Sequence, residues 1–416
     1  MTSSDFFDGC FSTPRWHALW AAMFGFLLDA MDVLLYVFAI QSIRSEFGLS
    51  NAQAGMVASV TLITSAAGGI FCGLLSDKIG RKQTLIYTIL VYSFASAGTA
   101  TSQTIWQLIL WRSLVGIGLG GEWSAGATLV SESWSSEHRA KAIGFMQSGW
   151  ALGYMAAAGL AALIIPRFGW RALFLAGVLP ALLTLAIRRK VEEPKVWRDQ
   201  KPERMPSLMP LFRGAIGVRT FLATTLTTSV LFAYWGLFTW LPGFLSAPRD
   251  AGGAGLTIVR TSGFIFGVQC GAYLGYLSFG WLADRIGRRP AFAAYVVGAA
   301  IVTPLYGLVP RLAGVNAEPI LLALGPLIGF LGTGFFALFG AMLAELYPTR
   351  LRGAGQGFTY NFGRGMSALA PYAVGYIADR TGLGAALALN SSFFLLGAIL
   401  VFTLPETRHV ELEEAA

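Results

Sequence analysis

Five ionisable side chains lie inside long apolar runs of the sequence. These residues are Asp29 and Asp32 in the first run, Arg112 and Glu122 in the fourth, and Arg364 in the eleventh. A charge at the centre of a hydrocarbon layer costs at least about 2.5 kcal/mol by insertion scales, so such residues are candidates for handling ions or substrates. The chemistry that these residue types predict is charge pairing and proton transfer.

Asp32 and Arg112 are expected to form an ion pair. At a rise of about 1.5 Å per residue, Asp32 lies about 22 Å from the beginning of its helix, and Arg112 lies about 10 Å from the opposite face. In a core about 30 Å thick these depths nearly coincide. We expect Asp32 to take a coupling proton and Arg112 to keep it ionised until the pair separates. A static pair that fixes helix packing is the alternative.

Two further carboxylates belong to this predicted proton-coupling group. Asp29 precedes Asp32 by three residues, so both project from one helix face, where two neighbouring carboxylates favour proton uptake by one of them. Glu122 is expected to relay protons or to orient Arg112, with a role in packing as the alternative.

Arg364 is the expected substrate anchor, because it lies about 16 Å into its helix and hence near the midplane. No carboxylate occurs in the middle of the neighbouring apolar runs of the second half. The missing counter-charge is therefore expected to be a substrate carboxylate, held bidentately as arginine favours. The alternative is that Arg364 bonds helix carbonyls. Tyr360 and Asn361 precede it by four and three positions and are expected to bind substrate hydroxyls or carbonyls.

The seventh and eighth apolar runs add candidates for the wall of a small-molecule pocket. The candidates have aromatic or amide groups that suit such a wall, and they are Tyr234, Trp235, Gln269 and Tyr273. An amide facing lipid would lack a hydrogen-bond partner, which favours a pocket position for Gln269. Trp240 is expected to anchor its helix at the membrane interface.

The composition specifies the elements that must position these residues. Of 416 residues, 55% are hydrophobic and only 12% are charged, far from the charge content of a soluble domain. Helices of roughly 20 apolar residues cross a bilayer, and twelve such runs can be placed. We predict an all-α membrane protein with lipid as its solvent. The runs begin near Trp16, Ala52, Thr84, Ile105, Ala142, Trp170, Thr220, Ile258, Ala291, Pro319, Ala354 and Gly384.

A repeat divides the chain into two similar halves. One motif recurs at an offset of 207 and a second at an offset of 213. The first pairs Gly73, Asp77 and Arg81 with Gly280, Asp284 and Arg288, and the second pairs Glu132 and Arg139 with Glu345 and Arg352. A basic, proline-containing segment separates the halves. We therefore predict two pseudo-symmetric six-helix bundles, 1–189 and 219–416, joined by a linker, 190–218.

The repeated residues are expected to form a gating latch that holds one mouth closed until transport breaks its contacts. A basic loop that only sets topology is the alternative, but it does not explain the glycine and aspartate in both copies. Most of the 30 Lys and Arg, including every lysine, fall on the side that holds both termini. The positive-inside rule then predicts a multi-pass inner-membrane protein with cytoplasmic termini.

At these motifs the sequence resembles the major facilitator superfamily. Arg112-x3-Gly116-x-Gly118-x-Gly120-Gly121, Gly169-Trp170-Arg171 and Pro405-Glu406-Thr407 are similar to its motifs. Asp29-Ala30-Met31-Asp32 resembles the D-G-x-D signature of aromatic-acid and sialate proton symporters, with alanine in place of glycine. The resemblance implies the twelve-helix fold and proton-coupled uptake of a small carboxylate. A monomer is the expected state.

The same residues disfavour other functions. Export or facilitated passage of a neutral sugar or drug is disfavoured by Arg364, and a sensor without flux is disfavoured by the paired latch motifs. The net charge of +8 is spread over short loops without a basic stripe, so nucleic acid is not expected. No phosphate loop, metal-ligand cluster or nucleophile with a base occurs in the sequence, so neither an enzyme nor a cofactor is expected, apart from the coupling proton.

Overall fold

The computed structural model describes residues 13–134, 136–188, 208–348 and 351–407, with some side chains in these ranges left undescribed. The predicted linker, 190–218, falls mostly outside the described residues. No strand occurs in the described ranges. The helices of the first half are α1 (Pro14–Phe47), α2 (Asn51–Ile79), α3 (Arg81–Thr99), α4 (Ile105–Ser133) and Ser136–Arg188, which turns at Gly169 into α5 (136–168) and α6 (170–188).

The second half repeats this arrangement with more interruptions. Its helices are α7 (Gly214–Ser246), α8 (Ile258–Ile286), α9 (Arg288–Ala313), α10 (Ala317–Thr333 and Phe336–Glu345), α11 (Arg352–Ser367 and Ala370–Thr381) and α12 (Leu383–Leu387 and Leu389–Val401). Short 3-10 turns, Met209–Phe212 and Gly314–Asn316, precede α7 and α10. The twelve predicted spans are thus present as helices or helix pairs.

Six segments of the described chain are long and apolar enough to cross a membrane by length and composition alone. These six segments are Pro14–Phe47, Asn51–Cys72, Ala142–Val178, Gly214–Ser246, Arg288–Ala313 and Leu383–Val401. Two further apolar stretches of the described chain, Ile105–Gly120 and Ala317–Thr333, are shorter. We call the side on which α1 begins the inner side, after the predicted orientation, and the opposite side the outer side.

The two copies of the repeated motif adopt the same backbone conformation. Gly80, between α2 and α3, has φ 104°, and Gly287, between α8 and α9, has φ 102°. Side chains disfavour positive φ of this kind, so glycine is the residue that allows each helix to turn into the next without a loop. The sequence repeat at an offset of 207 therefore corresponds to a structural repeat.

The Gly169-Trp170-Arg171 motif ties together helix ends on the outer side. Gly169 has φ 74° and makes the turn between α5 and α6. The Arg171 guanidinium lies 2.7 Å from Glu46 at the end of α1 and donates to the Ser102 carbonyl at 2.9 Å. Trp170 Nε1 also donates to Glu46, at 2.7 Å. These bonds fix α6 against the end of α1.

The two halves are in close contact on the outer side. Asp379, at the end of α11, accepts from the backbone N–H groups of Asn51 and Ala52 at 2.9 and 3.0 Å, and so caps the first turn of α2 across the two halves. The Tyr372 backbone N–H donates to Ser59 Oγ at 3.2 Å, about two helical turns deeper. The outer mouth is therefore closed in this structure.

Candidate functional site

A central cavity of about 50 Å³ lies where α1, α4 and α5 of the first half meet α7, α8, α10 and α11 of the second. Seven of its thirteen lining residues are aromatic. The lining residues are Phe26, Asp29, Val33, Leu119, Gln147, Trp150, Leu231, Tyr234, Trp235, Tyr276, Phe336, Tyr360 and Arg364. Such a volume has room for a few water molecules, so a metabolite enters only when the halves move apart.

Two opposite charges face this cavity from different halves. Asp29 of α1 is 3% exposed and Arg364 of α11 is 7% exposed, and the two are near enough to interact electrostatically. The carboxylate that interacts with Arg364 thus comes from the first half, whereas the expectation concerned carboxylates of the second half. That a substrate carboxylate binds Arg364 stays a prediction. Arg364 Nε still makes no hydrogen bond within the described residues. Tyr360, one turn away, also interacts with the guanidinium.

Aromatic side chains join the halves beside the cavity. Trp150 Nε1 of α5 donates to Tyr234 Oη of α7 at 2.6 Å. One turn further along α5, Tyr154 Oη donates to the Phe238 carbonyl at 2.8 Å. Trp150 and Trp235 meet edge to face, with ring centroids 5.9 Å apart. These contacts hold α5 against α7 in the closed outer arrangement.

Asp32 belongs to a second network, inside the first half. Its Oδ2 lies 3.9 Å from Arg112 Nη1, and its Oδ1 accepts from Ser96 Oγ. The guanidinium carbon of Arg112 lies 5.3 Å from the Tyr36 ring centre and 5.9 Å from that of Phe174. The expected ion pair is thus present, whereas its role in coupling stays a prediction.

The two aspartates of α1 do not share a site. Asp29 lines the cavity, but Asp32 and Arg112 do not, although all three are buried. A spacing of three residues leaves two side chains about 60° apart around a helix, which is enough to separate a cavity-facing carboxylate from one facing the bundle interior. The Glu122 side chain lies outside the described residues.

Three predicted pocket residues are not part of the described cavity wall. The side chain of Asn361 donates to the Gly357 carbonyl and fits against Gly69 of α2, so it packs between the halves. Gln269 is 1% exposed, and its Nε2 has no hydrogen bond within the described residues. Tyr273 packs against the core from a partly buried position.

One expectation was wrong, and some lining residues were missed. Trp240 is fully buried and donates to the Pro371 carbonyl at 2.8 Å, so it is no interface anchor. Trp235, a pocket candidate in the sequence, does line the cavity, whereas Trp150 and Tyr276 were not predicted to belong to the site. A run of aromatic residues facing one helix stripe could have identified them, but helices in membranes carry many aromatics for other reasons.

The structure describes only some residues of the predicted gating latch. Arg288 Nη2 lies 3.9 Å from Glu345 Oε1 within the second half, and Glu406 accepts from the backbone N–H groups of Arg288 and Arg289. Gly280 is partly buried on α8. The other latch residues, Gly73, Asp77, Arg81, Asp284, Glu132, Arg139 and Arg352, have side chains or surroundings outside the described residues. The latch therefore stays a prediction.

Comparisons with known proteins identify the fold and its family. A probable 4-methylmuconolactone transporter of Cupriavidus pinatubonensis is 34% identical over 95% of this chain and 91% of its own length. The cis,cis-muconate transport protein of Acinetobacter baylyi is 29% identical over 93% of this chain and 94% of its own. A crystal structure of a D-xylose–proton symporter superimposes with a TM-score of 0.76 at 17% identity, covering 95% of this chain and 99% of that chain.

The match to the family itself spans both halves. The sequence profile of the Major Facilitator Superfamily matches residues 22–278 and 255–416. Together with the relatives above, this match shows that the chain is a transporter and not an enzyme. It also identifies the apolar helices as membrane spans. The chain is an integral membrane transporter that belongs to the Major Facilitator Superfamily.

Proposed function

We propose that this protein takes up a small organic anion, a carboxylate, together with a proton, by alternating access around the central cavity. The observation that carries the proposal is Arg364, a buried cation on the wall of an otherwise largely aromatic cavity between the halves. A carboxylate matches the two-pronged geometry of this guanidinium, whereas a neutral sugar or drug has no charge that could replace Asp29 as its partner. The muconate transport protein is a relative whose named substrate is such an anion.

The pair of Asp29 and Arg364 suggests how the anion is admitted. In the empty cavity Asp29 offsets the charge of Arg364 across the two halves. A substrate carboxylate competes with Asp29 for the guanidinium, and a released carboxylate is easier to protonate than a paired one. Proton uptake then promotes substrate binding, because protonation of Asp29 frees Arg364 to bind the anion.

The pair of Asp32 and Arg112 supplies the second step in this proposal. Both side chains are buried within the first half and contact no cavity surface in this structure. We propose that Asp32 takes the coupling proton when its contact with Arg112 opens during the motion of the halves. The coupling ion is the proton, and no other cofactor is proposed.

Uptake into proteoliposomes tests the function directly. We expect accumulation of labelled carboxylates such as sorbate and muconate when the pH outside is lower than inside, and no accumulation once an ionophore collapses the gradient. Uptake of a neutral sugar, or carboxylate uptake that ignores the gradient, would contradict the proposal. The proposed setting is the inner membrane, with both termini cytoplasmic and a monomer as the working unit.

Replacing Asp32 with asparagine tests the coupling step. Asp32→Asn should lose gradient-driven accumulation but keep the exchange of internal for external substrate, because exchange requires no net proton movement. Ser96→Ala, which removes the hydroxyl that donates to Asp32, should give a smaller loss. Asp250→Asn is the matched control, since Asp250 lies in an outer loop and bonds the N–H of its own neighbour. Full accumulation by Asp32→Asn would exclude Asp32 as the proton carrier.

A further inference from the structure

Trp235 has an unused hydrogen-bond donor at the wall of the central cavity. The side chain is 5% exposed, and its Nε1–H makes no hydrogen bond within the described residues. Burying a donor without an acceptor is unfavourable, and most buried polar groups in proteins are paired. An indole N–H of this kind therefore calls for an acceptor that the described part of the chain does not supply.

The indole N–H groups of two neighbouring tryptophans do have acceptors. Trp150 donates to Tyr234, and Trp240 donates to the Pro371 carbonyl. The ring of Trp235 is held in place by edge-to-face contacts with Trp150 and Tyr234, at centroid distances of 5.9 and 5.3 Å. Packing thus fixes the position of the ring without using its N–H group.

The cavity also limits what the missing acceptor can be. Asp29 is the one carboxylate in the described lining, and it lies in the field of Arg364. Trp235 lies on α7 and Arg364 on α11, so the two donors belong to different helices of the second half. A ligand that carries a carboxylate for Arg364 and a second acceptor group for Trp235 can satisfy both.

We propose that Trp235 is a specificity-determining residue, whose indole N–H donates to a second acceptor on the substrate while Arg364 holds its carboxylate. This inference rests on the proposed function and narrows its substrate class. The preferred substrate is a flat, unsaturated carboxylate with a second oxygen acceptor, such as a dicarboxylate or a hydroxy or oxo acid. The aromatic rings of the wall favour a flat carbon frame.

Two matched pairs of acids test the proposal. Sorbate and trans,trans-muconate share one conjugated frame, but sorbate has a methyl group where muconate has its second carboxylate. Benzoate and para-hydroxybenzoate differ in one hydroxyl group. KM for all four acids is measured in proteoliposomes for the wild type and Trp235→Phe, which keeps an aromatic ring but removes the donor. Replacement of Trp235 by benzothienylalanine, which has sulfur in place of the N–H, keeps the full ring shape if phenylalanine is too small.

We expect both variants to raise KM for the acid with the second acceptor about tenfold and to leave KM for its partner within about twofold. Trp240→Phe, on the same helix but outside the cavity wall, should affect both acids of a pair alike. If the Trp235 variants change KM equally for both acids of a pair, or do not change it, the hydrogen bond from Trp235 to a second acceptor is excluded. The proposed function would remain intact. A wild type that transports none of the four would overturn the carboxylate proposal and this inference together.

Discussion

Two opposite-charge pairs share α1, and each occupies a different environment. Asp32 pairs with Arg112 inside the first half, whereas Asp29 faces Arg364 across the boundary between the halves. A pair within one half moves as a unit, but a pair between halves is stretched whenever the halves rock. The Asp29 and Arg364 pair is therefore the one that the transport motion itself can break, and under the proposed function a substrate anion competes for the same guanidinium.

Replacing Asp29 with asparagine should strengthen anion binding while abolishing gradient-driven accumulation. The neutral side chain no longer competes for Arg364, so we expect the affinity for sorbate or muconate to rise about tenfold. Isothermal titration calorimetry at fixed pH measures the affinity, and proteoliposome uptake measures the accumulation.

The matched variant is Arg364→Gln, which should lower the anion affinity at least about a hundredfold by removing a charge-assisted bidentate contact. In the double variant, the gain from Asp29→Asn should vanish, because there is no longer a guanidinium to release. Weaker anion binding by Asp29→Asn alone, in a protein that remains folded, would refute the competition.

Helix ends carry the contacts that distinguish the two sides of the molecule. On the outer side, the carboxylate of Asp379 on α11 accepts hydrogen bonds from backbone N–H groups at the beginning of α2. The two helices belong to different halves. Gly55 of α2 allows this approach, because an added Cβ there would overlap the Pro371 carbonyl of α11. On the inner side, Glu406 caps α9 within its own half. The outer cap thus links the halves, and the inner one does not.

Replacing Asp379 with asparagine should shift the protein towards an outward-open state. Two charge-assisted hydrogen bonds to the first turn of α2 are weakened, along with their favourable interaction with the helix dipole. We expect the ratio of open to closed outer mouths to rise by about tenfold. Spin labels at Gln53 on α2 and Arg380 on α11 report the separation by pulsed electron resonance.

The control for this change is again Asp250→Asn, which removes an outer carboxylate that bonds only within its own loop in the described chain. Its distance distribution should match that of the labelled parent. An unchanged distribution for Asp379→Asn as well would mean that apolar packing, and not the carboxylate cap, keeps the outer mouth closed.

The sequence predicted those features that depend on a local pattern of residues, and not those that depend on contacts between helices. The helices and the motif glycines were predictable, since apolar length and an exact repeat specify them; Gly80 and Gly287 then adopted matching conformations. The depth of Asp32 and Arg112 followed from a count along straight helices. The direction of Asn361 and the burial of Trp240 did not follow, because each depends on which neighbour lies across a helix boundary.

At the scale of the whole molecule, the halves meet along α2 with α11 and along the helix Ser136–Arg188 with α8. Pseudo-symmetric halves can rock about such an interface, and a single sequence must then be compatible with at least two arrangements. Neither composition nor motifs indicate which arrangement is favoured. The outer closure seen here follows from hydrogen bonds between residues more than 300 positions apart in sequence, such as the one from the Tyr372 backbone N–H to Ser59 Oγ.

Crosslinking the outer mouth should stop transport while leaving the cavity able to bind substrate from the inner side. Cysteines are introduced at Asn51 and Asp379 in a variant whose native cysteines are replaced, and a short bifunctional reagent that forms a disulfide with each thiol joins them reducibly across the halves. If the halves must separate on the outer side to admit substrate, uptake falls to background and returns after reduction of the linker. Either single-cysteine variant, treated alike, should keep the uptake of its untreated form. Carboxylate binding to inverted membrane vesicles should persist in the crosslinked protein, since the cavity and Arg364 are unaltered; uptake that continues at full rate would show that the substrate enters by a route that does not require this mouth to open.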